Sequence, residues 1–126
     1  MIEPLYLLDS NICIYVLEGG PPELRRRVEN FAPGELVTSS IAYAEVMRGL
    51  IGDQVKIKAA GAFFKLVAPL SFGVEEARQY ADLPFRRAGF DRLIAAHALV
   101  RNLILVTNNE KDFRDVVKLQ VENWTI

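Results

Sequence analysis

Polar side chains that could do chemistry directly follow two short apolar runs. They are Asp9 and Asn11 after run 5–8, and Thr107, Asn108, Asn109 and Asp112 after run 103–106. Such runs are typical of strands in a parallel sheet, where ligands bind beyond the carboxyl ends of the strands. Carboxylates gathered there repel one another unless a cation lies between them. Oxygen ligands without His or Cys favour Mg²⁺ or Mn²⁺ over zinc.

Two further acids lie in helices that adjoin predicted strands. Glu45 lies one turn into the helix after the second strand, and Asp91 begins the helix that precedes the fourth. Asp91 shares a helix face with Ala95 and Ala98, small residues that let another element approach closely. An Asp at a helix start is also an ordinary N-cap or first-turn charge, so its position alone leaves both interpretations open.

Cysteine and histidine chemistry is not indicated. His97 lies roughly 120° around the helix from Asp91, so we expect it in the core or on the surface. Cys13 lies between Ile12 and Ile14, which predicts a packed core residue. A single thiol cannot form an internal disulfide, which fits a reducing cytoplasm.

The apolar pattern predicts strands that alternate with helices. The predicted strands are 5–8, 35–38, 65–70, 103–106 and an edge strand at 119–121. The predicted helices are 12–17, 23–31, 41–51, 54–64, 74–87 with a bend or break at Pro84, 91–102 and 110–117. This order implies the α/β class, with a parallel sheet and helices on both faces.

Composition indicates one globular domain over residues 1–126, because 51% of the chain is hydrophobic and 25% is charged. The formal net charge is −1, so RNA binding would depend on a local basic patch or on metal ions. No apolar run approaches the roughly 20 residues of a membrane span, and the first residues do not resemble a signal peptide. We therefore expect a cytoplasmic protein.

Four segments resemble the successive motifs of VapC-type PIN domains. They are LYLLDSNICIYVLEG, VTSSIAYAEVMRGL, FDRLIAAHAL and LILVTNNEKDF, and VENW is similar to the closing strand. On this resemblance the chain is identified as a PIN-domain ribonuclease, the toxin of a toxin–antitoxin pair. The resemblance implies a sheet of about five parallel strands and an acidic site for Mg²⁺ or Mn²⁺. It also implies a homodimer, an RNA substrate and an antitoxin that lies in the active-site groove.

Carried over by position, the resemblance implies that Asp9, Glu45 and Asp91 are catalytic metal ligands and that Asn11 supports Asp9. The segment 83–89 is shorter than the corresponding segment of most family members, which could alter the substrate groove. Whether one or two metal ions act, and which RNA is cut, stays open.

The fourth acidic position departs from the family pattern. Many members carry an Asp two residues after Thr107, where this chain has Asn109. The next acids are Glu110 and Asp112. We favour Asp112 as the fourth ligand because the pattern NxxDF also recurs in the family, with Asn109 as an amide ligand or a substrate contact.

Four arginines are candidates for substrate or partner contacts. Arg86, Arg87 and Arg92 flank Asp91 and could contact phosphates, or be solvated, or pair with acids of a partner protein. Arg48 lies one turn after Glu45 and could orient that carboxylate or receive an acidic group of an inhibitor.

Two other functions compete with the ribonuclease. One is a PIN-like module that binds RNA or protein without catalysis. The other is a phosphatase with Asp9 as nucleophile, although that chemistry normally needs a second Asp where this chain has Asn11. Met47, Phe63 and Phe64 are candidates for an apolar association surface, with core burial as the alternative.

Overall fold

Five parallel strands form the central sheet of the computed structural model, which describes residues 2–87 and 89–126. The strands are β1 Tyr6–Leu8, β2 Leu36–Ser39, β3 Ala68–Leu70, β4 Ile104–Val106 and β5 Val121–Glu122. Their order across the sheet is β3-β2-β1-β4-β5, and every neighbouring pair is parallel. The predicted α/β class and parallel sheet are confirmed, and β1 lies at the centre.

Helices fill the connections between the strands. They are α1 Ser10–Leu17, α2 Pro22–Glu29, α3 Ser40–Gly49, α4 Gln54–Leu66, α5 Val74–Ala81, α6 Asp91–Val100 and a short 3₁₀ helix at Glu110–Phe113. Within the described part of the chain, none of these helices combines the length and the apolar character needed to cross a membrane.

The sheet separates two hydrophobic clusters, because adjacent residues of a strand point to opposite faces. Leu8 of β1 packs with α1, α2 and α4 on one face, whereas Leu7 packs with α6 and the 3₁₀ helix on the other. Both leucines are fully buried. Burial on both faces explains why the strands read as continuous apolar runs in the sequence.

The helix predicted at 74–87 is shorter in the structure and ends at Ala81. The amide of Leu83 donates to the carbonyl of Tyr80 at 3.1 Å, and Pro84 follows. A proline disfavours helical backbone in the residue before it, which explains the early end. The rest of the segment 83–89, outside Ala88, has no helix or strand.

Several other boundaries differ from the prediction: the helix predicted at 110–117 is the 3₁₀ helix Glu110–Phe113, and the edge strand predicted at 119–121 is Val121–Glu122. Two further differences have clear local reasons. The segment predicted as strand 65–70 begins as the last turn of α4, and β3 contains only Ala68–Leu70. The helix predicted at 91–102 ends at Val100, because Asn102 adopts a left-handed φ of 55°. The amide of Leu103 then donates to the carbonyl of Ala98 at 2.9 Å, which turns the chain into β4.

The three apolar residues considered for an association surface lie in or against the core. Phe64 is buried, and Phe63 and Met47 are partly buried against the same cluster. Core burial is therefore the correct interpretation of Phe64.

Candidate active site

Asp9 is the first residue after the central strand and caps the N-terminus of α1. Its Oδ1 accepts a hydrogen bond from the Ile12 amide at 2.9 Å, and its side chain is 5% exposed. Burial raises the pKa of Asp9 to about 6, against the hydrogen bonds from Thr107 and Ile12. The charges of Asp91 and Glu45 raise this pKa further. Three carboxyl groups, from the cap of α1, from α3 and from α6, therefore act on one another here.

Glu45 reaches the same edge of the sheet from α3. That helix begins directly after β2, where the Ser39 hydroxyl accepts from the Ile41 amide at 3.0 Å. Burial raises the pKa of Glu45, the Ser10 hydroxyl opposes the shift, and the charge of Asp91 adds to it. The Glu45 Oε1 atom is buried and has no hydrogen-bond partner within the described residues.

Asp91 is the first residue of α6, and its side chain does not cap the helix. Phe90 occupies the capping position, and no side chain makes a capping hydrogen bond there. Burial raises the pKa of Asp91, the charge of Asp112 raises it further, and the charge of Arg92 lowers it. The N-cap interpretation is therefore wrong, while a favourable first-turn charge remains compatible with this position.

Asp112 and Glu110, the two acids considered for the fourth position, have different surroundings. Asp112 accepts a hydrogen bond from the side-chain amide of Asn109, and its charge acts on Asp91. Glu110 accepts from the side chain of Asn123 at 3.3 Å. These contacts favour Asp112 as the acid that belongs to the site.

The amide residues after β4 also make specific contacts. The Asn109 backbone amide donates to the Thr107 hydroxyl at 3.1 Å, and Thr107 hydrogen-bonds to Asp9. The Asn108 side-chain amide donates to the Tyr15 hydroxyl at 3.0 Å. Nothing in the sequence pattern singled out Tyr15, because the pairing joins residues 93 positions apart.

The expected support of Asp9 by Asn11 remains a prediction. Asn11 is exposed. The hydrogen bonds that shift the pKa of Asp9 come from Ile12 and Thr107.

The structure contradicts the three interpretations of Arg92 drawn from the sequence, namely a phosphate contact, a solvated side chain and a pair with acids of a partner protein. Its side chain is 3% exposed, and its Nη2 atom lies 2.8 and 3.0 Å from the two carboxylate oxygens of Asp115. The hydrogen bond from Arg92 lowers the pKa of Asp115. A phosphate cannot reach a guanidinium buried in this way. Arg48 and Arg87 are exposed, and Arg86 is half-exposed with its Nε 3.4 Å from Asp115.

The oxygen donors of the site fit a hard divalent cation in chemical type. Buried carboxyls with raised pKa values, together with the partnerless Glu45 oxygen, describe an acidic group that lacks a counter-charge. Among residues 2–87 and 89–126, however, no three Asp, Glu, His or Cys side chains are arranged so that they could hold an ion as they stand. The ligand set therefore fits by chemistry but is not preformed.

Cys13 and His97 belong to the core, as predicted. Burial raises the pKa of the Cys13 thiol to about 12, so it is not a reactive thiolate. His97 is fully buried, and its Nδ1 lies 2.8 Å from the Ser39 hydroxyl.

The five-stranded parallel sheet and the acids at its carboxyl edge agree with a match to a known family. The chain matches the PIN domain over residues 6–119 and belongs to that family. It is 33% identical to the Ribonuclease VapC1 of Haemophilus influenzae, over 96% of this chain and 98% of the relative. It is 30% identical to the tRNA(fMet)-specific endonuclease VapC of Shigella flexneri, over 95% of this chain and 98% of that one.

A solved structure of a VapBC protein also matches the fold of this chain. VapBC2 from Rickettsia felis, bound to a DNA fragment from its promoter, matches with a TM-score of 0.85 at 28% identity. The match covers 95% of this chain and 98% of that one. The VapC-type PIN domain predicted from the motifs is confirmed.

Proposed function

We propose that this chain is an endoribonuclease that depends on Mg²⁺ or Mn²⁺ and serves as the toxin of a toxin–antitoxin pair. One observation carries the proposal. The buried carboxyl of Asp9 lies at the carboxyl end of the central strand, with its pKa raised by burial and by the charges of Asp91 and Glu45. An enzyme fold tolerates such repulsion where a cation relieves it.

Asp9, Glu45, Asp91 and Asp112 would hold the metal. A bound divalent ion would neutralise charge on the scissile phosphate and lower the pKa of a bound water. The chain's own groups orient the carboxylates, since Ile12 and Thr107 hold Asp9 in place. One of these carboxylates would steer the attacking water or take its proton.

RNA would be held by the arginines that remain accessible. Arg48 and Arg87 are exposed and Arg86 is half-exposed, so each is able to contact a phosphate. The Shigella flexneri relative is named for action on tRNA(fMet), which makes that tRNA the first substrate to test. An RNA substrate also fits a cytoplasmic location.

Cleavage of RNA tests the proposal directly. Asp9→Asn, Glu45→Gln and Asp91→Asn should each lower the cleavage rate by about 100-fold or more. EDTA should abolish wild-type cleavage, and added Mn²⁺ should restore it. Glu23→Gln is the control, because Glu23 is an exposed acid that pairs with Arg26 at 3.5 Å on α2. Full activity in EDTA would contradict the metal mechanism.

The same assay separates the competing functions. RNA binding without cleavage in Mn²⁺ would indicate an inactive PIN-like module. Release of phosphate from a small phosphomonoester, lost in Asp9→Asn, would indicate the phosphatase.

We further propose that the chain forms a homodimer and binds an antitoxin. The antitoxin partner is supported by the similarity to VapBC2 from Rickettsia felis and to VapBC-1 from nontypeable Haemophilus influenzae. The homodimer rests on the resemblance to VapC-type PIN domains alone. Light scattering of the isolated chain at high micromolar concentration should give the mass of a dimer. A monomeric mass there would contradict the homodimer.

A further inference from the structure

An ion pair between buried Arg92 and partly exposed Asp115 lies directly beside the acidic site. Arg92 follows Asp91 in the first turn of α6, and its side chain is 3% exposed. Its partner Asp115 lies just after the 3₁₀ helix and is 27% exposed. The pair therefore joins two elements that each carry a candidate metal ligand.

One nitrogen of Arg92 makes all of the hydrogen bonds found for this side chain. Its Nη2 donates to both Asp115 carboxylate oxygens, at 2.8 and 3.0 Å, and to the backbone carbonyl of Asp112 at 2.9 Å. The Nη1 atom is buried and has no partner within the described residues. The guanidinium thus binds the backbone of Asp112, the residue of the 3₁₀ helix whose charge acts on Asp91.

Stability alone is a poor reason for this arrangement. Burying the charge of Arg92 costs desolvation, and hydrophobic residues of similar volume often stabilise a fold as well as a buried charged residue and its partner, or better. A partnerless Nη1 adds to that cost. Hydrophobic residues, however, could not donate a hydrogen bond to the carbonyl of Asp112.

The two acids at this junction repel each other, because the charge of Asp112 acts on Asp91. The 3₁₀ helix is a single short turn, so its own hydrogen bonds restrain it weakly. The hydrogen bond from Arg92 to the Asp112 carbonyl supplies a restraint from outside the 3₁₀ helix, and it links the backbone of Asp112 to α6, which begins at Asp91.

We propose that Arg92 and Asp115 are positioning residues that hold Asp91 and Asp112 close together for the metal ion. Arg86 also pairs with Asp115, with its Nε 3.4 Å from Oδ2. This inference rests on the proposed function. Partners that orient metal ligands typically change metal affinity by about 10- to 100-fold when they are removed.

The decisive variant is the double substitution Arg92→Met with Asp115→Leu. It removes one positive and one negative charge, so the net charge of the chain is unchanged. The hydrophobic pair should keep the melting temperature near that of the wild type. It cannot bind the Asp112 carbonyl, so the affinity for Mn²⁺, measured by calorimetry, should fall by about 10-fold or more.

Hydrogen–deuterium exchange in EDTA gives a second readout that needs no metal and no RNA. Exchange at residues 109–115 should be faster in the double variant than in the wild type, while exchange in α4 should not change. If the wild type binds no Mn²⁺ and cuts no RNA, the proposed function fails, and the exchange data alone decide whether the restraint exists.

Asp115→Asn provides a milder test if the double variant does not fold. It should also bind Mn²⁺ more weakly than the wild type, whereas the matched control Glu23→Gln should bind it equally. Wild-type Mn²⁺ affinity in a folded variant that lacks the ion pair would overturn the proposal, even if its melting temperature were lower. Unchanged exchange at residues 109–115 would overturn it as well.

Discussion

At the scale of one residue, Asp9 combines the structural role of a helix cap with the proposed role of a metal ligand. An Asp after a strand and before a helix is an effective cap, and Asp9 does accept from the Ile12 amide. Capping alone would favour the ionised carboxylate and lower its pKa. Burial and the charges of Asp91 and Glu45 outweigh this effect, since the pKa is raised to about 6. Asp9 therefore stabilises the start of α1, although its negative charge is unfavourable where it is buried near Asp91 and Glu45.

This shift gives the metal-free protein a defined dependence of stability on pH. The raised pKa means that the folded state binds the Asp9 proton more tightly than the unfolded chain does. The resulting stability is present at low pH and is lost as pH rises through about 6. Asp9 should therefore lower the free energy of unfolding by about 1 kcal/mol between pH 5 and pH 8.

The measurement is denaturant unfolding in EDTA at both pH values, for the wild type and for Asp9→Asn. Asparagine keeps the capping oxygen and removes the charge, so Asp9→Asn should lose the contribution of this residue. The difference between the two proteins is the informative quantity. Burial lowers the pKa of His97, so the wild type also loses stability as pH falls through about 6.5. An identical pH dependence in both proteins would contradict the raised pKa of Asp9.

At the scale of a single element, the 3₁₀ helix gives two nearby acids different surroundings. The sequence predicts a helix over 110–117, whereas the structure has only Glu110–Phe113 in 3₁₀ geometry. Its tight turn places successive side chains on different sides. Asp112 consequently contacts Asn109, and its charge acts on Asp91, whereas Glu110 contacts Asn123. The short element thus separates two neighbouring acids into different surroundings.

Paired substitutions test this separation. Asp112→Asn should reduce RNA cleavage and Mg²⁺ affinity more than Glu110→Gln does, because only Asp112 interacts electrostatically with Asp91. Both changes remove one negative charge, so each serves as the control for the other. A larger loss in Glu110→Gln would identify Glu110 as the fourth ligand.

The charge distribution matters at the scale of the whole molecule. Fifteen basic and sixteen acidic residues nearly cancel, so the formal net charge is −1. The overall field does not attract RNA, yet acids are concentrated at the carboxyl edge of the sheet. A cation bound there would serve both the chemistry and the fold, because it relieves repulsion between side chains of different helices.

Mg²⁺ should therefore stabilise the folded chain at pH 8. A ligand that binds only the folded state contributes about 2.7 kcal/mol at 100 times its Kd. Asp91→Asn should melt at a higher temperature than the wild type in EDTA and gain less from Mg²⁺. Thermal melting of both proteins, with and without millimolar Mg²⁺, makes the comparison. If Asp91→Asn melts lower in EDTA, Asp91 acts mainly as a favourable charge at the start of α6.

Local patterns in the sequence determined the class of fold and the order of its elements. Strands buried on both faces require unbroken apolar runs, so β1 and β4 are readable without any knowledge of their neighbours. The topology of a parallel sheet then brings the residues after its strands to one edge. That rule predicts Asp9 at this edge, whereas the grouping of Asp9 with Glu45 and Asp91 was implied by the resemblance to VapC-type PIN domains. The pKa shifts of Asp9 and Glu45 show that the three charges interact. Their catalytic roles remain predictions.

Only the tertiary structure decided which charged groups are buried and what they pair with. Arg92 resembles the exposed arginines beside it in the sequence, yet it is buried because Asp115, 23 residues away, meets it across the junction. The contact between Asn108 and Tyr15 arises in the same way. Such pairings depend on distances through space, and desolvation makes them strong only once the chain has packed. Pairings of this kind leave no periodic pattern in the sequence.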